Sequence, residues 1–72
     1  MQHSEIIKLQ NFLQRKFGNR TIDVRPRPKQ DDSCEVYIGE EFIGMLYIDD
    51  EDGDRSYTFQ MAILDIDLED VA

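Results

Sequence analysis

The chain has 72 residues, sixteen of them acidic and eight of them lysine or arginine, with a net charge of −8 at pH 7. A chain of this size forms one small domain, residues 1–72, and its acidity argues against direct binding of nucleic acid or anionic lipid. Its single cysteine, Cys34, is typical of a reducing compartment, and no apolar run reaches the roughly 18–20 residues that cross a bilayer, so we expect a cytoplasmic protein with no membrane partner.

The first predicted element is an amphipathic helix over about residues 4–17. Apolar residues recur there at the spacing of one helix face: Ile6, Leu9, Phe12, Leu13 and Phe17. Ser4 is a suitable N-cap, and Gly18 follows the last apolar residue, where many helices end in a left-handed glycine.

The remainder of the chain predicts four β-strands, over about residues 21–25, 33–38, 42–49 and 55–66. Pro26 and Pro28 remove two backbone donors, which indicates that the first strand lies at an edge and that a polar loop follows it. The Asp52-Gly53 dipeptide predicts a two-residue hairpin turn. That turn pairs apolar residues along one face: Ile48 with Tyr57, Leu46 with Phe59, Gly44 with Met61 and Phe42 with Ile63.

These elements predict an α+β fold, with one N-terminal helix packed on a four-stranded antiparallel β-meander of order 1-2-3-4. A three-residue loop with a bulge after Ile38 would keep that residue opposite Phe42 on the core face. The expected core combines the apolar face of the helix with the inner residues of the strands: Ile6, Leu9, Phe12, Leu13, Phe17, Ile22, Val24, Val36, Ile38, Phe42, Leu46, Ile48, Phe59, Met61 and Ile63.

The chain carries no set of residues that indicates catalysis. His3 is the only histidine, and with Cys34 it gives no ligand set for zinc. The acidic run at residues 49–54 resembles a calcium loop, but Ile48 and Phe59 then occupy the first and twelfth ligand positions. We therefore expect no enzyme, no metal site and no cofactor, and interpret Cys34 as a buried apolar residue.

Two surfaces are candidates for protein contacts. The outer face of the two central strands carries an apolar and aromatic group: Tyr37, Ile43, Met45 and Tyr47. The fourth strand contains eight consecutive residues without charge, proline or glycine, among them Tyr57, Phe59 and Ile63. An unguarded edge of this kind predicts a homodimer, or the addition of a strand from a protein partner.

Charge is divided unevenly along the sequence. Residues 1–30 hold seven basic and two acidic residues, for a net charge of +5, whereas residues 31–72 carry −13. The one basic cluster, Arg25, Arg27 and Lys29, either contacts an acidic partner or phosphate, or balances Asp31 and Asp32.

This distribution indicates association, and we expect a protein-interaction or adaptor module. An acidic mimic that occupies a basic or nucleic-acid-binding surface of a partner, and an enzyme or accessory subunit of one, are the alternatives.

Two segments give the chain a family resemblance: RPRPKQDDSCEVYIGEEFIG at residues 25–44 and DDEDGDRSYTFQMAILDIDLE at residues 49–69. Together with the N-terminal helix, they resemble a small alphaproteobacterial domain family of unknown function. The resemblance implies a bacterial cytoplasmic origin, and it implies no activity, cofactor or catalytic residue.

Overall fold

Helix α1 spans His3–Phe17 in the computed structural model, which describes residues 1–51 and 53–71. Its N-cap is Gln2 and not the expected Ser4, because the Glu5 carboxylate accepts the Gln2 backbone N–H at 3.1 Å. The helix ends as predicted at Gly18, which has a left-handed backbone with φ of 61°.

The four strands form an antiparallel sheet in the predicted order: β1 (Ile22–Arg27), β2 (Gln30–Ile38), β3 (Glu41–Asp49) and β4 (Ser56–Gln60). The fold is therefore the predicted α+β meander. Most of the expected polar loop after β1 is strand, since only residues 28 and 29 lie between β1 and β2. Strand β4 is five residues long and ends well before the predicted residue 66, and a short helix, α2 (Asp65–Leu68), follows it.

The predicted pairing of β3 with β4 is correct only for its first part. Ile48 lies opposite Tyr57, and Leu46 lies opposite Phe59, as expected. Pairing then stops at Gln60, so the predicted pairs of Gly44 with Met61 and of Phe42 with Ile63 are wrong. Gly53 has a positive φ of 82°, as a turn glycine does, whereas Asp52 of the predicted turn lies outside the described residues.

A bulge in β3 changes which side chains face the core. The connection after Ile38 has two residues and not three, so Ile38 lies opposite Glu41 and Phe42 lies opposite Tyr37. The register shifts between Val36 and Tyr37: Val36 lies opposite Gly44, which leaves Ile43 as the extra residue. Phe42 consequently contacts Tyr37 on the outer face, and Ile43 packs against the core in its place.

The helix crosses the inner face of the sheet diagonally. Near its beginning Glu5 contacts Tyr57 on β4, and near its end Gln14 bonds to Ile22 on β1. The buried core lies under this diagonal: Ile6, Leu13, Ile22, Val24, Cys34, Val36 and Leu46. Several predicted core residues are exposed instead, on the helix, at the end of β2, on the outer face or after β4: Phe12, Phe17, Ile38, Phe42, Met61 and Ile63.

Candidate interaction surface

The β1 edge of the sheet is closed by side chains of the helix. Gln10 accepts the backbone N–H of Val24 at 3.0 Å, and Gln14 donates to the carbonyl of Ile22 at 2.9 Å. These two groups point away from β2, and the next outward position is Pro26, which has no N–H. A strand that adds at this edge must therefore displace the two glutamine side chains, and it finds no donor at Pro26.

The β4 edge is open. The Val24 N–H points outward, so its partner Val36 directs its backbone groups toward β3, and so does Cys34. The regular pairs of Cys34 with Leu46 and of Leu46 with Phe59 carry this alternation to β4. Ser56, Thr58 and Gln60 then bond to β3, and Tyr57 and Phe59 direct their N–H and C=O groups outward. Among the described residues, no strand pairs with β4 on that side.

A groove of about 850 Å³ begins where β4 ends. Its floor is the part of β3 that β4 leaves unpaired, at residues 41–44, and its walls come from Phe59 and from the chain that follows β4. Most of the side chains that line it are apolar, including Phe42, Ile43, Met45, Met61 and Leu64.

Residues 61–71, here called the tail, expose a series of large apolar side chains. Each is 53–66% exposed: Met61, Ile63, Leu64, Ile66, Leu68 and Val71. Asp65, Asp67, Glu69 and Asp70 alternate with them. An exposed apolar series of this size is a candidate interaction surface.

Glu5 fixes the helix to the hairpin that β4 belongs to. Its carboxylate accepts bonds from the Tyr57 hydroxyl at 2.6 Å and from Arg55 at 2.7 Å, and Arg55 also lies 3.5 Å from Asp50. The bond from Tyr57, that from the backbone of Gln2 and the bond and charge of Arg55 lower the pKa of Glu5 to about 2, against an opposing effect of burial. The same bond to Glu5 raises the pKa of Tyr57.

The outer face of the sheet differs in one member from the predicted group. Ile43 packs against the core, and Phe42 takes its place beside Tyr37, with ring centroids 5.6 Å apart. Met45 and Tyr47 flank the buried Leu46 in β3, so alternation along the strand keeps both on the outer face. The outer face stays a candidate contact surface.

Two residues of the basic cluster, Arg25 and Arg27, bond to other residues of the domain. Arg25 pairs with Asp23 at 2.8 Å and stacks on the Tyr37 ring at 3.8 Å, and the bond to Asp23 raises its pKa. Arg27 donates to the buried Ser33 hydroxyl at 3.2 Å, and Lys29 is exposed in the turn. The described partners of the two arginines are therefore not Asp31 and Asp32.

Cys34 is completely buried, as predicted, and burial raises the pKa of its thiol. Its sulfur lies 3.4 Å from that of Met1. Within residues 1–51 and 53–71, no three histidine, cysteine or acidic side chains lie together as metal ligands would. No helix in the same ranges combines the length and the apolar character that a membrane crossing needs.

We expect calcium to leave the thermal midpoint of unfolding nearly unchanged at physiological ionic strength. Ile48 is half-buried in β3 and Phe59 packs against the core in β4, so neither can supply the oxygen that a calcium loop needs there. Differential scanning calorimetry across a calcium titration measures this, and a rise of several degrees at micromolar calcium would contradict it.

Three residues that shape this surface had no role in the sequence-based interpretation. Gln10 and Gln14 lie four apart, a spacing that puts both on one side of a helix, but polar residues beside an apolar face usually contact water. Glu5 lies in the first turn of α1, and no partner was predicted for it. Its partners Arg55 and Tyr57 are fifty and fifty-two residues away, a distance that no local pattern bridges.

Comparisons with known proteins identify a family for this chain but no activity. Neither a curated protein nor a solved structure matched the chain. A protein-family model described as "Protein of unknown function (DUF3126)" matches residues 5–67, which include most of α1, the whole sheet and most of α2. The chain belongs to this family of unknown function.

Proposed function

We propose that the protein is a non-enzymatic protein-interaction module that acts through its β4 edge, and that it forms a homodimer there. The observation that carries the proposal is the difference between the two edges of the sheet. Gln10, Gln14 and Pro26 close the β1 edge, whereas Tyr57 and Phe59 leave donors and acceptors free on β4. A free edge beside exposed apolar side chains is a site at which another strand adds.

A two-fold axis at Thr58 pairs all of the free backbone N–H and C=O groups of Tyr57 and Phe59. Tyr57 of one copy then lies opposite Phe59 of the other, and each pair exchanges two backbone hydrogen bonds. The two sheets join into one of eight strands, with aromatic pairs across the junction on the inner face. The net charge of −13 over residues 31–72 opposes the approach of two copies, so association strengthens as salt rises.

We also infer a bacterial, cytoplasmic setting. The resemblance of residues 25–44 and 49–69 to an alphaproteobacterial family supports the origin, and the free buried Cys34 is typical of a reducing compartment. Fractionation of the native host tests the location.

We expect the variant Thr58→Cys to form a disulfide-linked dimer under mild oxidation. Thr58 is exposed, and the proposed axis places it directly opposite its copy, within the Cα separation of about 4.4–6.8 Å that a disulfide requires. The native Cys34 is fully buried and does not compete. Light scattering after size exclusion should report about twice the 8.5 kDa chain mass for the wild-type protein and for the crosslinked variant.

Gln60→Cys is the matched control, since this residue is exposed on the same strand and the same face. The proposed register puts it opposite Ser56 of the second copy and about 13 Å along the strand from its own copy, so it should not crosslink. Met45→Lys with Tyr47→Thr changes the outer face and should leave the dimer intact. A wild-type chain that stays monomeric at hundreds of micromolar and moderate salt would eliminate the homodimer and leave a partner strand as the occupant of the edge.

A further inference from the structure

We infer that the tail of each copy packs along helix α1 of the other copy, so that the two chains exchange acidic tails across the dimer. The inference rests on the proposed function, because it requires the homodimer. It adds a second contact surface and assigns a role to the division of charge between the two halves of the chain.

The receiving surface is a stripe on α1, formed by Lys8, Phe12 and Lys16. These residues recur every four positions and so lie on one side of the helix, and all three are exposed, with Phe12 at 59%. Glu5 lies seven residues before Phe12, on the same side, and it contacts Tyr57 on β4. The stripe therefore borders the β4 half of the inner face and not the closed β1 edge.

The tail is complementary to this stripe in charge and in apolar character. It carries four carboxylates among apolar side chains that are more than half exposed, and the stripe carries two ammonium groups around an exposed phenylalanine ring. Apolar contact supplies the stabilisation, and the alternating charges set the register and the choice of partner. In a two-fold dimer the contact between tail and stripe forms twice, because each chain supplies one tail and one stripe.

The proposed β4 pairing brings the two surfaces within reach. In antiparallel pairing the end of one β4 lies beside the beginning of the other, and that beginning adjoins the first turns of α1 through Glu5 and Tyr57. With four residues helical in α2 and seven extended, the tail spans up to about 29 Å, and the fifteen residues of α1 span about 22 Å. The tail is long enough to follow the helix to Lys16.

Strand pairing alone does not bury the surface area that a stable dimer needs, so the tail must contribute to the interface. Pairing of two five-residue strands buries far less than the roughly 1,200–2,000 Å² of specific interfaces. The six apolar side chains of each tail expose on the order of 50–80 Å² apiece, so burying both sets with the surfaces that receive them reaches that range.

Exchange of charges between the two surfaces tests the inference. One variant makes the tail basic, with Asp65→Lys, Asp67→Lys and Glu69→Lys, and a second makes the stripe acidic, with Lys8→Glu and Lys16→Glu. Each variant alone should weaken the dimer at least tenfold, because tail and stripe then carry like charges. An equimolar mixture of the two should form a heterodimer with the wild-type affinity within a few-fold, and a chain with all five changes should again form a homodimer.

Light scattering after size exclusion and sedimentation velocity measure these masses, and circular dichroism checks that each variant is folded. Restored association in the mixture cannot come from a general loss of stability, so a misfolded single variant does not imitate the expected result. Dimers of unchanged affinity in all variants would overturn the tail exchange and leave the β4 pairing standing. A monomeric wild-type chain would instead overturn the homodimer itself, and no heterodimer in the mixture would exclude the stripe as the receiving surface.

Discussion

Replacing Gly44 by alanine should lower the free energy of unfolding by about 2–3 kcal/mol, which is a large part of the roughly 4–10 kcal/mol expected for a domain of this size. Gly44 is buried, and the chain passes over it as it leaves the sheet after Gln60. A Cβ atom there would lie inside the contact distance of the Gln60 carbonyl oxygen and 2.8 Å from the Phe59 ring. The carbonyl belongs to the backbone, so relief requires the end of β4 to move. Thermal denaturation should show a midpoint about 10–20 °C lower.

Gly39→Ala is the control for this prediction. Gly39 has a positive φ of 60°, and nothing lies within 4 Å of the Cβ that alanine would add, so the substitution strains the backbone without a collision. That strain costs about 1 kcal/mol, and asparagine, which tolerates the left-handed region, should recover part of it. At Gly44 asparagine should be worse than alanine. Equal losses in the free energy of unfolding for the two alanine variants would show that the chain passing over Gly44 does not constrain the fold.

The variant Glu5→Gln should be less stable than the wild-type protein at pH 7 by about 1–2 kcal/mol, and equally stable near pH 2. The folded protein lowers the pKa of Glu5 from 4.5 to about 2, chiefly through the bond from Tyr57. A lowered pKa stabilises the fold fully above pH 4.5, and this contribution is lost as the pH falls from 4.5 through 2. We place the magnitude below the full linkage value because Arg55 is half-exposed and its pairing with Glu5 is screened by solvent.

Chemical denaturation at a series of pH values measures the difference between the two proteins. Glu51→Gln, which removes the same charge from an exposed position in the β3–β4 connection, should keep the wild-type pH dependence. Tyr57→Phe should raise the pKa of Glu5, as a carbon-13 NMR titration of its carboxylate would report. Parallel pH profiles for the wild-type protein and Glu5→Gln would mean that this carboxylate does not couple the helix to β4.

The parts of the fold that periodicity determines were predictable from the sequence. The spacing of Ile6 and Leu13 and the glycine at residue 18 gave the helix and its end, and cross-strand pairing gave the register of Leu46 with Phe59. The length of β4 was not predictable in this way. The apolar pattern predicts that burial of Met61 and Ile63 is favourable, but it does not predict which surface buries them.

The candidate site was predictable in type but only partly in position. An unguarded fourth strand was expected, and the open edge at Tyr57 and Phe59 lies on it. The bulge at Ile43 exchanged the faces of that residue and Phe42, because one extra residue reverses the alternation of a strand and short-range patterns do not place such a residue. The groove and the exposed tail follow from the early end of β4, which only the tertiary structure reveals.

In the proposed dimer, the two glutamines of α1 would also determine how far assembly can proceed. A sheet with two free edges can add copies without limit and form fibres, whereas the proposed dimer joins this sheet at one edge only. Because Gln10 and Gln14 bond to the Val24 N–H and the Ile22 carbonyl on the outer side of β1, joining two copies at β4 would leave both ends of the combined sheet obstructed. Removing these two amides would then convert a self-terminating pair into a chain-forming unit.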